Sequence, residues 1–243
     1  MTINSSENTR FISISENIKI IKNEMSEAAI KSGRNPDDVK LMAVTKTVAP
    51  IFINWAIEEC GIDLIGENKV QEFLSKKEEL KLSGVEKHLI GHLQTNKVRK
   101  IINEVDMIQS VDSVRLAKAI SDAASKDSSN IDILLEINIG DEESKTGFDK
   151  EVFNESLMEI SELPFLNVKG LMTIPPICDD NLLLEKYFDS MNEYFNEIKN
   201  KKLFGDDFNI LSMGMSGDYK EAILHGSNLV RVGSLIFGAR IYK

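Results

Sequence analysis

Lys46 closes the run Leu41-Met42-Ala43-Val44-Thr45-Lys46-Thr47, an apolar, strand-like stretch that delivers one lysine to its C-terminal end before a helix-compatible segment begins at Pro50. A lysine nitrogen becomes a nucleophile when its surroundings lower its pKa, and with an aldehyde it forms a Schiff base. If that aldehyde is phosphorylated and the strands form a parallel barrel, the phosphate belongs to the loops after the seventh and eighth strands. Those loops must then end in small residues with free backbone N–H groups. The segments Ile210-Leu211-Ser212-Met213-Gly214-Met215-Ser216-Gly217-Asp218 and Leu229-Val230-Arg231-Val232-Gly233-Ser234 meet that demand. Their glycines admit an anion to the backbone, Ser216 and Ser234 can donate hydroxyl hydrogen bonds, and a short helix starting near Asp218 would aim its positive end at the anion. Arg231 stands two residues before Gly233 and shares its side of the strand, facing the barrel interior. There it could pair with Glu67 or Glu136, or donate to the ring nitrogen of a pyridine cofactor.

The elements that must position these residues follow from hydrophobic spacing. After a polar tail over residues 1–9, Phe11, Ile14, Ile18, Ile21, Met25 and Ala28 recur at intervals of three and four, which predicts one amphipathic helix over 10–33, ended by Gly33 and Pro36. From there short apolar runs alternate with helix-length amphipathic segments. Strands are expected at Val39–Val44, Leu64–Gly66, His88–Gly91, Met107–Val111, Ile131–Ile137, Val168–Ile174, Ile210–Met213 and Leu229–Phe237. Helices are expected at Ile51–Cys60, Val70–Leu82, Asn96–Glu104, Ser113–Ser125, Lys150–Leu163 and Leu182–Lys201. Strict alternation implies parallel strands with right-handed crossovers. Eight such units in 243 residues fit an α/β fold of one domain, a (β/α)8 TIM barrel with an extra N-terminal helix. No Gly-x-Gly-x-x-Gly turn follows Lys46 to suggest a doubly wound nucleotide-binding sheet.

A formal net charge of −10 speaks against nonspecific nucleic-acid binding, and Lys97, Arg99 and Lys100 at helical spacing read as a solvated helix face. The two cysteines, Cys60 and Cys178, form neither a disulfide scaffold nor a zinc spacing, so a reducing compartment is expected. Neither a signal peptide nor a membrane span is visible, which makes the cytoplasm the expected location. The barrel exterior shows no unpaired apolar stripe, and a monomer is expected.

Taken together, Ala43-Val44-Thr45-Lys46-Thr47, Gly66-Glu67-Asn68, His88-Leu89-Ile90-Gly91-His92-Leu93-Gln94-Thr95-Asn96-Lys97, Gly170-Leu171-Met172-Thr173-Ile174-Pro175, Gly214-Met215-Ser216 and Val230-Arg231-Val232-Gly233-Ser234-Leu235-Ile236-Phe237-Gly238 resemble the pyridoxal phosphate homeostasis proteins (the YggS/PROSC family). The likeness runs from about Val39 to Arg240. It implies a single barrel similar to the N-terminal domain of alanine racemase, with pyridoxal 5′-phosphate carried by Lys46 as an internal aldimine. Ser216, Gly233 and Ser234 would hold the phosphate, with Gly217 as a further contact. Arg231 would face the pyridine nitrogen, and Asn68 and Met172 would line the ring pocket.

Proton chemistry at an α-carbon needs an electron-withdrawing ring and a second acid or base. A guanidinium only donates, so Arg231 leaves a ring nitrogen unprotonated. Racemases resembling this barrel draw a tyrosine from an additional β-domain, which this chain is not expected to carry. Among Tyr187, Tyr194, Tyr219 and Tyr242, Tyr219 lies nearest the expected phosphate loop, and His92 after the third strand is a possible proton donor. The expectation is therefore a non-catalytic carrier that keeps pyridoxal phosphate available, with cofactor-requiring apo-enzymes as recipients. The alternatives are an amino-acid racemase of low activity and a phosphate-binding or nucleic-acid-associated barrel in which Lys46 is structural.

Overall fold

Alternating runs of buried apolar strand and amphipathic helix close on themselves in the computed structural model, which describes residues 5–140, 146–177 and 180–239. Eight parallel strands form a closed barrel in sequence order: β1 Lys40–Val44, β2 Leu64–Glu67, β3 Glu86–Leu89, β4 Met107–Val111, β5 Ile131–Ile137, β6 Leu166–Thr173, β7 Ile210–Met215 and β8 Leu229–Val232. Closure is made by β8 pairing with β1, from Lys40 opposite Leu229 to Ala43 opposite Val232. The helices among the described residues are α1 Ser5–Lys31, α2 Pro50–Glu58, α3 Val70–Lys76, α4 Val98–Ile101, α5 Val114–Asp127, α6 Lys150–Ser161, α7 Asn181–Lys201, α8 Tyr219–Leu224 and α9 Ser234–Phe237. This is a (β/α)8 TIM barrel with an added N-terminal helix.

Strand alternation sorts the core into two layers. Outward residues such as Ala43, Ile65, Leu89, Ile108, Ile133, Leu211 and Val230 pack under the helices in one continuous apolar shell. Inward residues make two small clusters, Met42 with Val44, Leu64, Ile90 and Leu229, and Met107 with Leu134 and Met172. The interior is otherwise polar: His88, Gln109, Glu136, Ser212 and Arg231 are all buried. Buried polar groups survive only with partners, so this interior must be organised by hydrogen bonds.

Several boundaries differ from those expected. The N-terminal helix begins at Ser5, so Ser5–Thr9 is helical rather than tail, and it ends at Lys31 before Gly33 turns left-handed at φ +76. Residues 1–4, Cys178 and Tyr242 lie outside the described residues. The eighth strand stops at Val232, because Gly233 leaves the ladder and its carbonyl instead accepts from the N–H groups of Ile236 and Phe237 to start α9. Val70–Leu82 shortens to α3 plus a 3-10 turn over Lys77–Glu79, and Asn96–Glu104 to α4 preceded by a 3-10 turn over Thr95–Lys97. The helix expected over Ser113–Ser125 runs from Val114 to Asp127 and ends where Ser128 adopts φ +51.

Candidate functional site

Lys46 emerges one residue beyond Thr45, whose N–H continues the sheet by donating to Gly66 O. The backbone around it is clamped on both sides. Thr45 Oγ1 donates to Glu67 Oε2 at 3.1 Å, and Lys76 Nζ, reaching in from α3, lies 2.9 Å from Thr45 O and 2.5 Å from Glu67 Oε2. Thr47 is held left-handed at φ +63, with its N–H donated to Glu72 and its hydroxyl to Lys46 O at 2.6 Å. A non-glycine residue in that conformation is retained only where surrounding contacts impose it. Glu67 also takes the N–H of Asn68 at 2.9 Å, so one buried carboxylate fixes both strand ends of the site. Glu67 is therefore the partner of Lys76 and not of Arg231.

These residues open onto a cavity of about 380 Å³ at the C-terminal ends of the strands, which falls in the range of small-molecule sites. Seven of the residues expected at the site line it together: Lys46, Asn68, Ser216, Gly217, Arg231, Gly233 and Ser234. Met172 does not; it packs inside the barrel with Met107 and Leu134. Asn68 Oδ1 is the one buried side-chain N or O atom among the described residues without a hydrogen-bond partner. Such an acceptor calls for a donor from outside the chain.

Arg231 is buried, with 3% of its surface exposed, and burial pulls its guanidinium down to about 10 against the opposing influence of Asp218 and Glu136. It donates through Nη1 to Ser212 Oγ at 2.6 Å and through Nη2 to Thr173 O at 2.7 Å. No carboxylate forms an ion pair with it among the described residues, so neither Glu67 nor Glu136 is its direct partner. Glu136 instead accepts from Thr146 Oγ1 at 2.9 Å, and burial pushes its carboxyl upward. A buried cation without a contacting anion retains donor capacity for a ligand in the cavity.

At the loop end, Ser216 Oγ accepts from Gly233 N–H at 3.3 Å, which ties the β7 loop to the β8 loop. A Cβ on Gly217 would meet no atom within 4 Å, so this glycine faces open space, whereas one on Gly233 would press on Val44 at 3.2 Å. Gly217 thus offers bare backbone, and a side chain at Gly233 would have to displace Val44 of β1 by a few tenths of an ångström.

Two residues considered as second bases lie elsewhere. Tyr219 donates to Glu24 of α1, and burial together with that bond raises its pKa. His92 is exposed and bonded to Asp112 Oδ2 at 2.9 Å. Neither lines the cavity. Of the basic trio, Arg99 is engaged with Ala123 O at 3.0 Å. One charged lining residue escaped sequence reasoning: Arg10 of α1, whose guanidinium stacks over Phe52 at 3.9 Å from the ring centroid and donates to Phe237 O. Nothing in its spacing on α1 singles it out, because the elements it meets lie far along the chain.

The family described as alanine racemase, N-terminal domain, matches residues 13–241. A curated protein of Aquifex aeolicus named pyridoxal phosphate homeostasis protein is 38% identical over 231 residues, covering 93% of this chain and 98% of that one. The crystal structure of an unknown protein from Bifidobacterium adolescentis superposes with a TM-score of 0.90 at 33% identity, covering 97% of this chain and 98% of that one. The structure of PipY of Synechococcus elongatus with pyridoxal phosphate bound superposes with a TM-score of 0.81 at 29% identity, covering 93% of this chain and all of that one.

Proposed function

The chain belongs to the alanine racemase N-terminal domain family, and on that premise we propose that it is a pyridoxal phosphate homeostasis protein that holds pyridoxal 5′-phosphate in the Lys46 cavity, covalently through Lys46 Nζ. The observation that carries this reading is the convergence, in one cavity, of a strand-end lysine, an unpartnered buried acceptor on Asn68, a buried guanidinium without a contacting anion, and the serine-glycine loops. Those groups fit the cofactor. When bound, it supplies an aldehyde that an amine captures reversibly and a ring that draws electrons from the captured amine. Ser216, Gly217, Gly233 and Ser234 would hold the phosphate, with Arg10 adding positive charge at the mouth. Asn68 Oδ1 would accept from a ring hydroxyl, and Arg231 would donate to the ring nitrogen.

Carriage rather than catalysis is favoured by the lining itself. Among the described residues no histidine, tyrosine or carboxylate lines the cavity, so these residues present no second acid or base beside Lys46. The retained charge of Arg231 would leave a ring nitrogen unprotonated, which would weaken the cofactor as an electron sink. The protein would release the cofactor to apo-enzymes that need it, acting as a monomer in the cytoplasm. No helix of the described residues is long and apolar enough to cross a membrane.

Borohydride reduction of cofactor-loaded protein, followed by peptide mass analysis, tests the assignment. A reduced pyridoxyl adduct is expected on Lys46 and absent from Lys46→Ala, which should melt like the parent protein; no adduct on Lys46 in the parent would sink the proposal. A robust, Lys46-dependent exchange of amino-acid α-hydrogens would replace the carrier by a racemase-type enzyme.

A further inference from the structure

The polar residues inside the barrel form a single chain of contacts. Arg231 Nη1 donates to Ser212 Oγ at 2.6 Å, Ser212 Oγ donates to Gln109 Oε1 at 2.8 Å, and Gln109 Nε2 meets His88 Nδ1 at 2.8 Å. His88 Nε2 lies 3.5 Å from Glu86 Oε2, and Glu86 Oε1 takes Lys40 Nζ at 3.3 Å. The chain crosses from β8 through β7 to β4 and β3, and ends at the opposite rim of the barrel, where Lys40 and Glu86 line a hollow of about 610 Å³.

Its direction is fixed by chemistry at one end. A guanidinium has no acceptor, so the Ser212 oxygen must accept from Arg231, and its hydroxyl proton goes onward to the Gln109 carbonyl. That leaves the Gln109 amide nitrogen, which can only donate, facing His88. His88 Nδ1 therefore accepts, and the ring proton sits on Nε2, toward Glu86. Ser212, Gln109 and His88 are each at most 3% exposed, so no water competes for these bonds at low cost.

We infer that Ser212, Gln109 and His88 are positioning residues whose one-directional hydrogen-bond relay sets the orientation of the Arg231 guanidinium toward the cavity. This rests on the cofactor reading above. Arg231 has two protein acceptors, and Thr173 O is a backbone atom held by β6. Ser212 is the side-chain acceptor, and donation of its proton to Gln109 fixes the rotamer in which its lone pairs meet Arg231. Loss of Gln109 frees the hydroxyl to rotate, and the guanidinium edge offered to the ring shifts with it.

The test compares Gln109→Met, nearly isosteric and apolar, with Arg231→Gln and with Met107→Leu, an interior change off the relay. Each protein is loaded with pyridoxal 5′-phosphate, and its absorbance maximum and cofactor retention under dialysis are read. Gln109→Met should shift the absorbance maximum in the same direction as Arg231→Gln and weaken retention about tenfold, the equivalent of one charge-assisted hydrogen bond. Met107→Leu should keep the parent spectrum, and the borohydride adduct on Lys46 should still form in all three. A parent-like spectrum and retention in Gln109→Met, or the same shift in Met107→Leu, overturns the inference. Should Gln109→Met fail to fold, Ser212→Ala carries the same expectation. Failure of the parent protein to take up the cofactor removes the functional reading itself, whereas uptake with an unaltered variant removes only the relay.

Discussion

At the residue scale, the backbone on either side of Lys46 is held by its neighbours. The Glu67–Lys76 pair is almost fully buried, and the two groups grip Thr45 and Asn68 on either side of the cavity floor. Breaking a buried pair leaves an uncompensated charge, at a cost of about 3–5 kcal/mol. Lys76→Met should lower the urea-unfolding free energy of the cofactor-free protein by about that amount, and adding Glu67→Gln should recover part of it. No recovery in the double variant would show that the cost lies in packing and not in charge. Ser216 is a subtler case, since its hydroxyl already accepts from Gly233 N–H and would also serve the phosphate. Ser216→Ala should weaken cofactor retention by about 1.5–3 kcal/mol, measured by equilibrium dialysis; unchanged retention would remove Ser216 from the phosphate site.

At the element scale, the junction of β7 with α8 decides whether the phosphate loop exists. Gly214 turns the chain at φ +92, and a Cβ there would lie 2.5 Å from Ala222 Cβ and 3.0 Å from Tyr219 Cα. Only glycine lets α8 fold back so closely on the strand that Ser216 and Gly217 are left at the cavity rim. Gly214→Ala should cost roughly 1–3 kcal/mol from strained backbone alone, lower the calorimetric Tm and loosen the cofactor. A parent-like Tm would mean that α8 can move away without loss. Helix α1 completes the same region: Asn17 Nδ2 donates to Ile236 O at 3.2 Å, and Tyr219 is bonded to Glu24. The extra helix is thereby part of the mouth, and it brings Arg10 there.

At the scale of the whole molecule, the two barrel ends respond oppositely to pH. Glu86 at the lower rim is held at about 2, below its ordinary 4.5, by the hydrogen bond from His88 first and by Lys40, against burial. A depressed carboxyl stabilises the fold above its unfolded value, and that contribution is lost as pH falls from about 4.5 through about 2. Glu86→Gln should flatten the loss of stability over that window in acid titrations followed by circular dichroism; an unchanged acid limb would show that Glu86 does not govern it. Glu136 near the C-terminal end of β5 and Asp218 just before α8, both outside the cavity lining, are pushed upward by burial, so their ionisation works against folding as pH rises through their raised values.

The sequence by itself determined the barrel and the common mouth to which its strand-end residues converge. Periodicities of two and of three to four need only near neighbours, and strand-end residues reach a common mouth in any parallel barrel. Thus Lys46, the Ser216 and Gly233 loops and Arg231 could be brought together from strand order alone, whereas Asn68 entered only through the family resemblance. The tertiary structure alone decided which partners they have. Arg10 meets Phe237 across 227 residues, Ser212 meets Gln109 across 103, and Glu67 chose Lys76 over Arg231. Such pairings leave no periodic trace, because they depend on which side chains share a few ångströms of space once the barrel has closed.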